Sequence, residues 1–430
     1  MLKNILLIFT VMVTTVVVAQ NSTASPYSLG GLGDVTFRGN AIDRLMGGLS
    51  VYADSIHANI NNSASLGELK LTTFSVGVHY KNTQLSSTEA KENVTSSSLD
   101  YIAVSIPTKR FGFSFGIMPY SSVGYRLQSL EGIDDENAPD VLSRYEGNGG
   151  LNRTFFSVGI PVFKGLNLGA SFIYNFGTIN TQASRQEENI DFGTYLANRS
   201  VLSGLHSQYS AHLKLPLNKN ITLDAFGSFS PEHNIKSKNE QTYFTRSLTT
   251  QDLGSFQEVD LSARGLEEVN LTIGNELSYG LSVGQNKKWM FGAQYTEVNS
   301  ANFSNPFIQI NNIGYQNSSR LAVGGMFIPN YSSITSYWKR MVFRAGYRQE
   351  NSGILVNNIP LEETGISFGV SLPLGGFYSA NNVSGFSNFN IGVELGERGV
   401  NEAGLVRERF WAIRAGISLN DLWFIKRQYN

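Results

Sequence analysis

The sequence predicts an all-β protein, a transmembrane antiparallel up-and-down β-barrel of about fourteen strands with a small N-terminal plug. Three observations predict it. Apolar residues recur at every second position in segment after segment, the positions between them are small or polar, and the connections alternate between short and long. Alternation means that one strand face meets something greasy and the other something wet. A soluble β-sandwich also alternates, but its outward face is charged. Here the non-apolar face is rich in Gly, Ser and Asn with isolated charges, as expected for a confined interior.

Residues 1–20 read as a secretion signal. Lys3 supplies the positive end, residues 5–18 are apolar, and Val17 and Ala19 place a cut near Ala19-Gln20. A retained anchor is the rival reading. The run is short of the roughly 20 apolar residues a spanning helix needs, is interrupted by Thr14 and Thr15, and is followed by polar Asn21-Ser22-Thr23. No later apolar run is long enough to span as a helix, so membrane residence must come from strands.

Residues 21–66 do not alternate. Residues 26–34 are loop-like, and residues 41–52 carry Ile42, Leu45 and Met46 at near-helical spacing. A second short piece covers residues 56–66. Apolar residues in so small a segment need burial, so it is expected as a plug in the lumen, with Leu45, Met46, Gly47, Gly48, Asn59, Asn61 and Asn62 as its characteristic residues. A periplasmic extension is the plainer alternative.

The barrel is expected over residues 67–430. Phe111, Phe113, Phe115 and Ile117 alternate with Gly112, Ser114, Gly116 and Met118, and Leu205, Tyr209, Leu213, Leu215 and Leu217 with His206, Ser210, His212 and Lys214. Leu271, Ile273, Leu277, Tyr279, Leu281 and Val283 form one row broken only by Asn275. Long connections are expected near 84–96, 126–148, 181–203, 233–266, 299–317, 351–361 and 399–407, with short turns at 108–110, 164–165, 218–220 and 285–288 and two longer ones near 331–339 and 375–387. Tyr80, Tyr120, Tyr174, Trp289, Tyr295 and Tyr347 are expected as interfacial rings. An even strand number with short turns inside puts both termini in the periplasm.

Composition narrows the function classes. The chain has 430 residues, 43 Gly, 19 Tyr, 27 Phe, a net charge of -1 and no cysteine. Near-neutral charge gives no reason to expect nucleic acid. Without cysteine there are no disulfides, thiolate metal sites, cysteine nucleophiles or lipidated N-terminal cysteine. Gly280-Leu281-Ser282-Val283-Gly284 spells a nucleophile elbow but lies in an alternating strand, not at a strand-to-helix turn. His206 and His212 sit about 20 Å apart at ~3.3 Å per residue, too far to share a metal. The acidic run 131–140 lacks the spacing of a calcium loop. No enzyme, cofactor or metal centre is expected.

The polar groups on the predicted inner face are more informative. His206, His212, Lys214, Asp224, Glu276, Arg344, Arg348, Glu394 and Arg414 alternate with apolar neighbours. A charge facing lipid costs about 2–4 kcal/mol at the midplane, so these point inward, where they pair with one another or with the plug, or contact a ligand.

Ser25-Pro26-Tyr27-Ser28-Leu29-Gly30, Arg44-Leu45-Met46-Gly47-Gly48-Leu49-Ser50, residues 58–66, Gly149-Gly150-Leu151-Asn152-Arg153, residues 164–171 and residues 419–427 together resemble the long-chain fatty acid transporter (FadL/TodX-like) outer-membrane proteins, in a divergent branch. The family's Asn-Pro-Ala hatch core is replaced by Asn59-Ile60-Asn61-Asn62, without proline. The resemblance implies fourteen strands, a hatch, and passive uptake of hydrophobic or amphipathic small molecules, fatty-acid-like, through a wall gap made by an inward kink in strand three. That strand falls near residues 111–125 and contains Pro119, which cannot donate to the ladder and so marks a possible kink. The alternative function is a non-transporting barrel subunit of an outer-membrane secretion or assembly complex. Outer-membrane lipid, hydrophobic small molecules and other outer-membrane proteins are the expected partners.

Overall fold

The computed structural model describes residues 23–88, 90–131, 139–374, 387–402 and 404–421. The expected signal, most of the acidic run, most of the turn near 375–387 and the end of the last family-like motif lie outside these residues. Among the described residues fourteen strands form a closed antiparallel barrel. In chain order they are β1 (Thr72–Ser86), β2 (Lys91–Pro107), β3 (Gly112–Glu131), β4 (Val141–Phe163), β5 (Leu166–Glu187) and β6 (Phe192–Pro216). Next come β7 in two pieces (Ile221–Ser230 and His233–Ser247) and β8 in three (Leu253–Glu258, Glu268–Ile273 and Glu276–Gln285). Then follow β9 (Trp289–Val298), β10 (Ile313–Tyr315 and Ser318–Phe327), β11 (Val342–Val356), β12 (Ile359–Leu374), β13 (Ser387–Arg398) and β14 (Arg407–Asp421). Strand β14 returns to β1, from Arg407 opposite Ser86 to Asp421 opposite Thr72. Closure is what lets a sheet sit in hydrocarbon, because an unpaired backbone group there costs several kcal/mol.

The two faces are inverted relative to a soluble core. Leu205 is 68% exposed, Phe172 56% and Leu281 57%, while Ser114, Ser171, Ser210 and Ser278 on the alternate face are buried. Bulky apolar side chains ring the outside and small ones face the lumen. Tight turns close one end at residues 108–111, 164–165, 217–220 and 286–288; Gly165 and Lys287 take φ of 88° and 58° to make two of them.

Most of the expected long loops are not loops. The chain stays in strands to Ser86, Glu187 and Val356 and resumes at Lys91, Phe192 and Ile359. Strands β4, β5 and β6 are 23, 22 and 25 residues long, against 10 for β9, so one side of the wall stands far above the other. These extensions leave the bilayer and carry polar residues on both faces. Without lipid on one side, the alternation that marks a strand disappears.

The row from Leu271 to Val283 also needs correcting. Strand β8 breaks at Gly274-Asn275, β7 breaks beside it at Pro231-Glu232, and His233 pairs with Ile273 while Ser230 pairs with Glu276. The pairing register is the same on both sides, so neither strand slips against the other; the two residues that interrupt each strand break the alternation together, and the faces swap across them. Leu271 is thus fully buried inside whereas Leu277, Tyr279 and Leu281 face out.

Candidate functional site

Residues 23–71 run through the lumen from the long-connection end to the turn end. At the long-connection end the Ser25 hydroxyl donates to Glu408 (2.5 Å), the Tyr27 hydroxyl to the Val406 carbonyl (2.7 Å), and Arg398 pairs with Asp34 (2.9 Å). At the turn end Glu68 meets Lys214 (2.7 Å), and Ser63 meets Ser210 (2.8 Å). Thr23, the first described residue, therefore lies at the opposite end of the barrel from Asp421. Besides 3-10 turns at Pro26–Leu29 and Ser63–Glu68, the segment has one α-helical turn, α1 (Ala41–Arg44), capped by Asn40, whose side chain accepts from the Asp43 N–H (2.9 Å).

Glycine on glycine brings this segment against the wall. Gly47 and Gly48 turn the chain with φ of 76° and 97°, and a side chain on Gly47 would meet the Tyr347 carbonyl at 2.6 Å. Across the contact lie Gly324 of β10 and Gly346 of β11, each touching the Met46–Gly47 backbone. Leu45 and Met46 are fully buried, Leu45 over Gly369 and Gly392. The asparagines tie the segment to itself. Asn59 and Asn62 donate to the Ser50 carbonyl (3.0 and 3.1 Å), and Asn61 donates to the Arg38 carbonyl.

The predicted inner-face charges gather around this segment. Glu394, fully buried, accepts from Arg44 of α1 (2.9 and 2.7 Å), from Arg414 (2.7 Å) and from Arg348. Arg348 also pairs with Glu363, and Arg414 reaches Asp100 (3.4 Å), which holds His79 at 2.5 Å. Three guanidiniums thus balance three carboxylates across the lumen. Glu276 pairs with Arg38 (2.6 Å); His212 lies 3.5 Å from Glu68 and 3.4 Å from Asp224. Two predicted residues make their hydrogen bonds with the wall, although Arg344 also lies in the field of Asp43 and Asp54, and His206 in that of Arg38. Arg344 bonds Ser371, and His206 meets Asn175 (3.3 Å) and stacks on His233 at 3.9 Å. Sequence reading missed the counter-charges Arg38, Arg44, Asp34 and Glu68. Their signal was charge inside a segment already expected in the lumen.

Below this junction Asp54 accepts from Tyr52 (2.6 Å), from the backbone N–H of Ile56 (2.9 Å) and His57 (2.7 Å), and contacts His57 Nδ1 (2.6 Å). Burial alone would push its carboxyl up, but His57, Tyr52 and the Ile56 N–H together hold it well below the usual carboxylate range.

The wall itself comes apart at β3. Strands β2 and β3 pair only from Pro107 opposite Gly112 to Ile102 opposite Ile117. Beyond that β3 pairs with β4 alone, with a one-residue bulge between Pro119 and Ser121. From Tyr120 to Tyr125 both faces of β3 are buried, so the strand bends into the lumen. Tyr120, expected at the lipid interface, instead lies inside beneath the Arg153 guanidinium (4.4 Å). The N-terminal segment fills the breach. Asp34 and Val35 pair with Ser122 and Ser121, Thr36 donates to the Tyr120 carbonyl (3.0 Å), and Thr23 lies against Gly124.

These features define a class: a fourteen-stranded outer-membrane-type barrel with an internally bonded N-terminal segment and an inward-bent third strand. The chain belongs to the BamG family, whose sequence profile matches residues 1–430. No curated protein matches it by sequence. Among solved structures it shares the fold of the Pseudomonas putida toluene transporter TodX (TM-score 0.56, 16% identity, 91% of this chain and 99% of that one). It also shares the fold of the Ralstonia pickettii toluene transporter TbuX (0.55, 14%, 89% and 98%) and of a Pseudomonas aeruginosa FadL homologue (0.56, 12%, 90% and 100%). The likeness expected from the short motifs is a likeness of fold to the FadL/TodX barrels, in a divergent branch.

Proposed function

We propose that this chain resides in the outer membrane as a barrel shut by its own N-terminal segment, and serves as a non-transporting subunit of a larger outer-membrane secretion or assembly complex. The observation that carries the reading is the Arg44–Glu394 junction. It joins the plug to the wall by a two-pronged ion pair that Arg348 and Arg414 complete. A greasy solute crossing here would have to separate buried charges, and breaking such a pair costs about 3–5 kcal/mol. A barrel that passes nothing offers its partners its outer surface and its tall wall. Neither catalysis nor a cofactor enters this reading.

A second reading has its own support. The unpaired stretch between β2 and β3 is a lateral breach, and the barrels of like fold include two toluene transporters. On that reading hydrophobic or amphipathic small molecules, fatty-acid-like, leave sideways past Thr23–Thr36. Liposomes carrying the folded protein separate the two. The shut barrel gives no uptake of labelled long-chain fatty acid above empty liposomes; saturable uptake overturns it in favour of the second reading.

A further inference from the structure

On the outer side of the tall wall, strands β4 to β7 enclose a half-open cavity of about 300 Å³. Its floor consists of two laterally paired rows, Asn148–Asn180–Arg199–Glu240 and Glu146–Gln182–Ala197–Thr242. The β5–β6 register runs without a shift from Leu166 to Arg185, so Asn180 and Gln182 share the face of Phe172 and Tyr174. That is the lipid-facing side of the barrel, where Phe172 and Tyr174 are exposed. Asn180 lies four residues beyond Phe176, roughly 13 Å along the strand at ~3.3 Å per residue. The cavity therefore opens just above the aromatic belt, at headgroup level, on the end that in outer-membrane barrels faces outward.

Its chemistry is selective. Amides present donors and acceptors side by side, which matches neighbouring hydroxyls. Asn180 already donates to Asn148 (3.1 Å), which fixes the orientation of the pair. Flat rings bracket the polar floor on the same face. Tyr174 and Phe176 stack below at 5.8 Å, and Tyr195 and Phe244 stack above at 4.9 Å and 4°. Such rings accept the apolar C–H face of a sugar. The charges argue against a phosphate. Arg199 is 3.6 Å from Glu240, Arg126 neutralises Glu146 from outside at 2.9 Å, and two carboxylates face one guanidinium in the lining.

We infer that this cavity binds uncharged saccharide units, with the sugar headgroup of an outer-leaflet glycolipid or a free oligosaccharide of the same chemistry as occupant. The inference concerns the outer face alone and does not depend on whether the lumen is shut.

The full-length protein in nanodiscs tests it by titration with a neutral glycolipid, digalactosyl diacylglycerol, with the free digalactose disaccharide, and with phosphatidylglycerol. Saturable binding of the first two is expected, weakened at least tenfold in Asn148→Ala/Gln182→Ala and in Ala197→Trp, which fills the cavity. Both variants must keep the wild-type heat-shifted gel mobility that reports a folded barrel. Should only the intact glycolipid bind, with the same loss in both variants, the occupant is the lipid-borne headgroup. Binding unchanged in two folded variants, equal competition by phosphatidylglycerol, or no binding by either saccharide probe overturns the inference.

Discussion

Glu394 shows how much a single residue can organise when it has no access to water. Its two oxygens take hydrogen bonds from one guanidinium of the N-terminal segment and two of the wall. Glu394→Gln removes the charge but keeps the shape, leaving Arg44, Arg348 and Arg414 to repel one another. Loss of about 3–5 kcal/mol is expected for a buried pair broken on one side, read as a lower urea midpoint in detergent; an unchanged midpoint would mean the junction is solvated. Asp54 gives a pH-dependent counterpart. Its native carboxyl titrates below the unfolded value of about 3.9, so its contribution is present above pH 4 and lost as pH falls through the depressed native value. Asp54→Asn should destabilise the protein at pH 7 and flatten the acid limb of a stability profile below pH 4. A steeper acid limb in the variant would contradict the assignment. The inner-face charges were legible in the sequence because a charge in an alternating strand has only one tolerable side. Their partners were not, because Arg38, Arg44 and Glu68 sit in a segment with no period to orient them.

At the scale of elements, alternation located every strand that crosses lipid and failed where lipid ends. Strands β4, β5 and β6 continue upward through residues such as Asn180-Thr181-Gln182, polar on both faces, and so read as loop. The broken strands failed for a different reason. Asn275 was visible as a flaw in its row, but only the paired break at Pro231-Glu232 shows that the two sides of the flaw face opposite ways. Pro119 was a clearer sign, since it lies where β3 leaves β2 and shifts against β4. The breach is closed by a strand of two residues, and its close fit rests on Gly33. With φ of 93°, a side chain there would meet the Ser122 carbonyl at 2.6 Å. Gly33→Val should therefore loosen residues 23–36 and expose them to protease in otherwise folded barrels. Resistance equal to wild type would show that the segment does not depend on this contact.

For the whole molecule, the fold came from three independent patterns that agreed, whereas its role depends on what occupies the lumen. The same closed sheet serves an open route or a sealed body, and the segment from Thr23 to Leu71 decides between them. It is bonded to the wall at both ends and by ion pairs in the middle. Removing residues 23–66 should turn the barrel into a conducting pore, with stepwise currents in planar bilayers. The most direct test needs no variant. Full-length protein inserted into a planar bilayer should give no steady single-channel conductance at moderate voltage. Steady conductance from the intact, folded chain would contradict the shut lumen on which the proposed role rests.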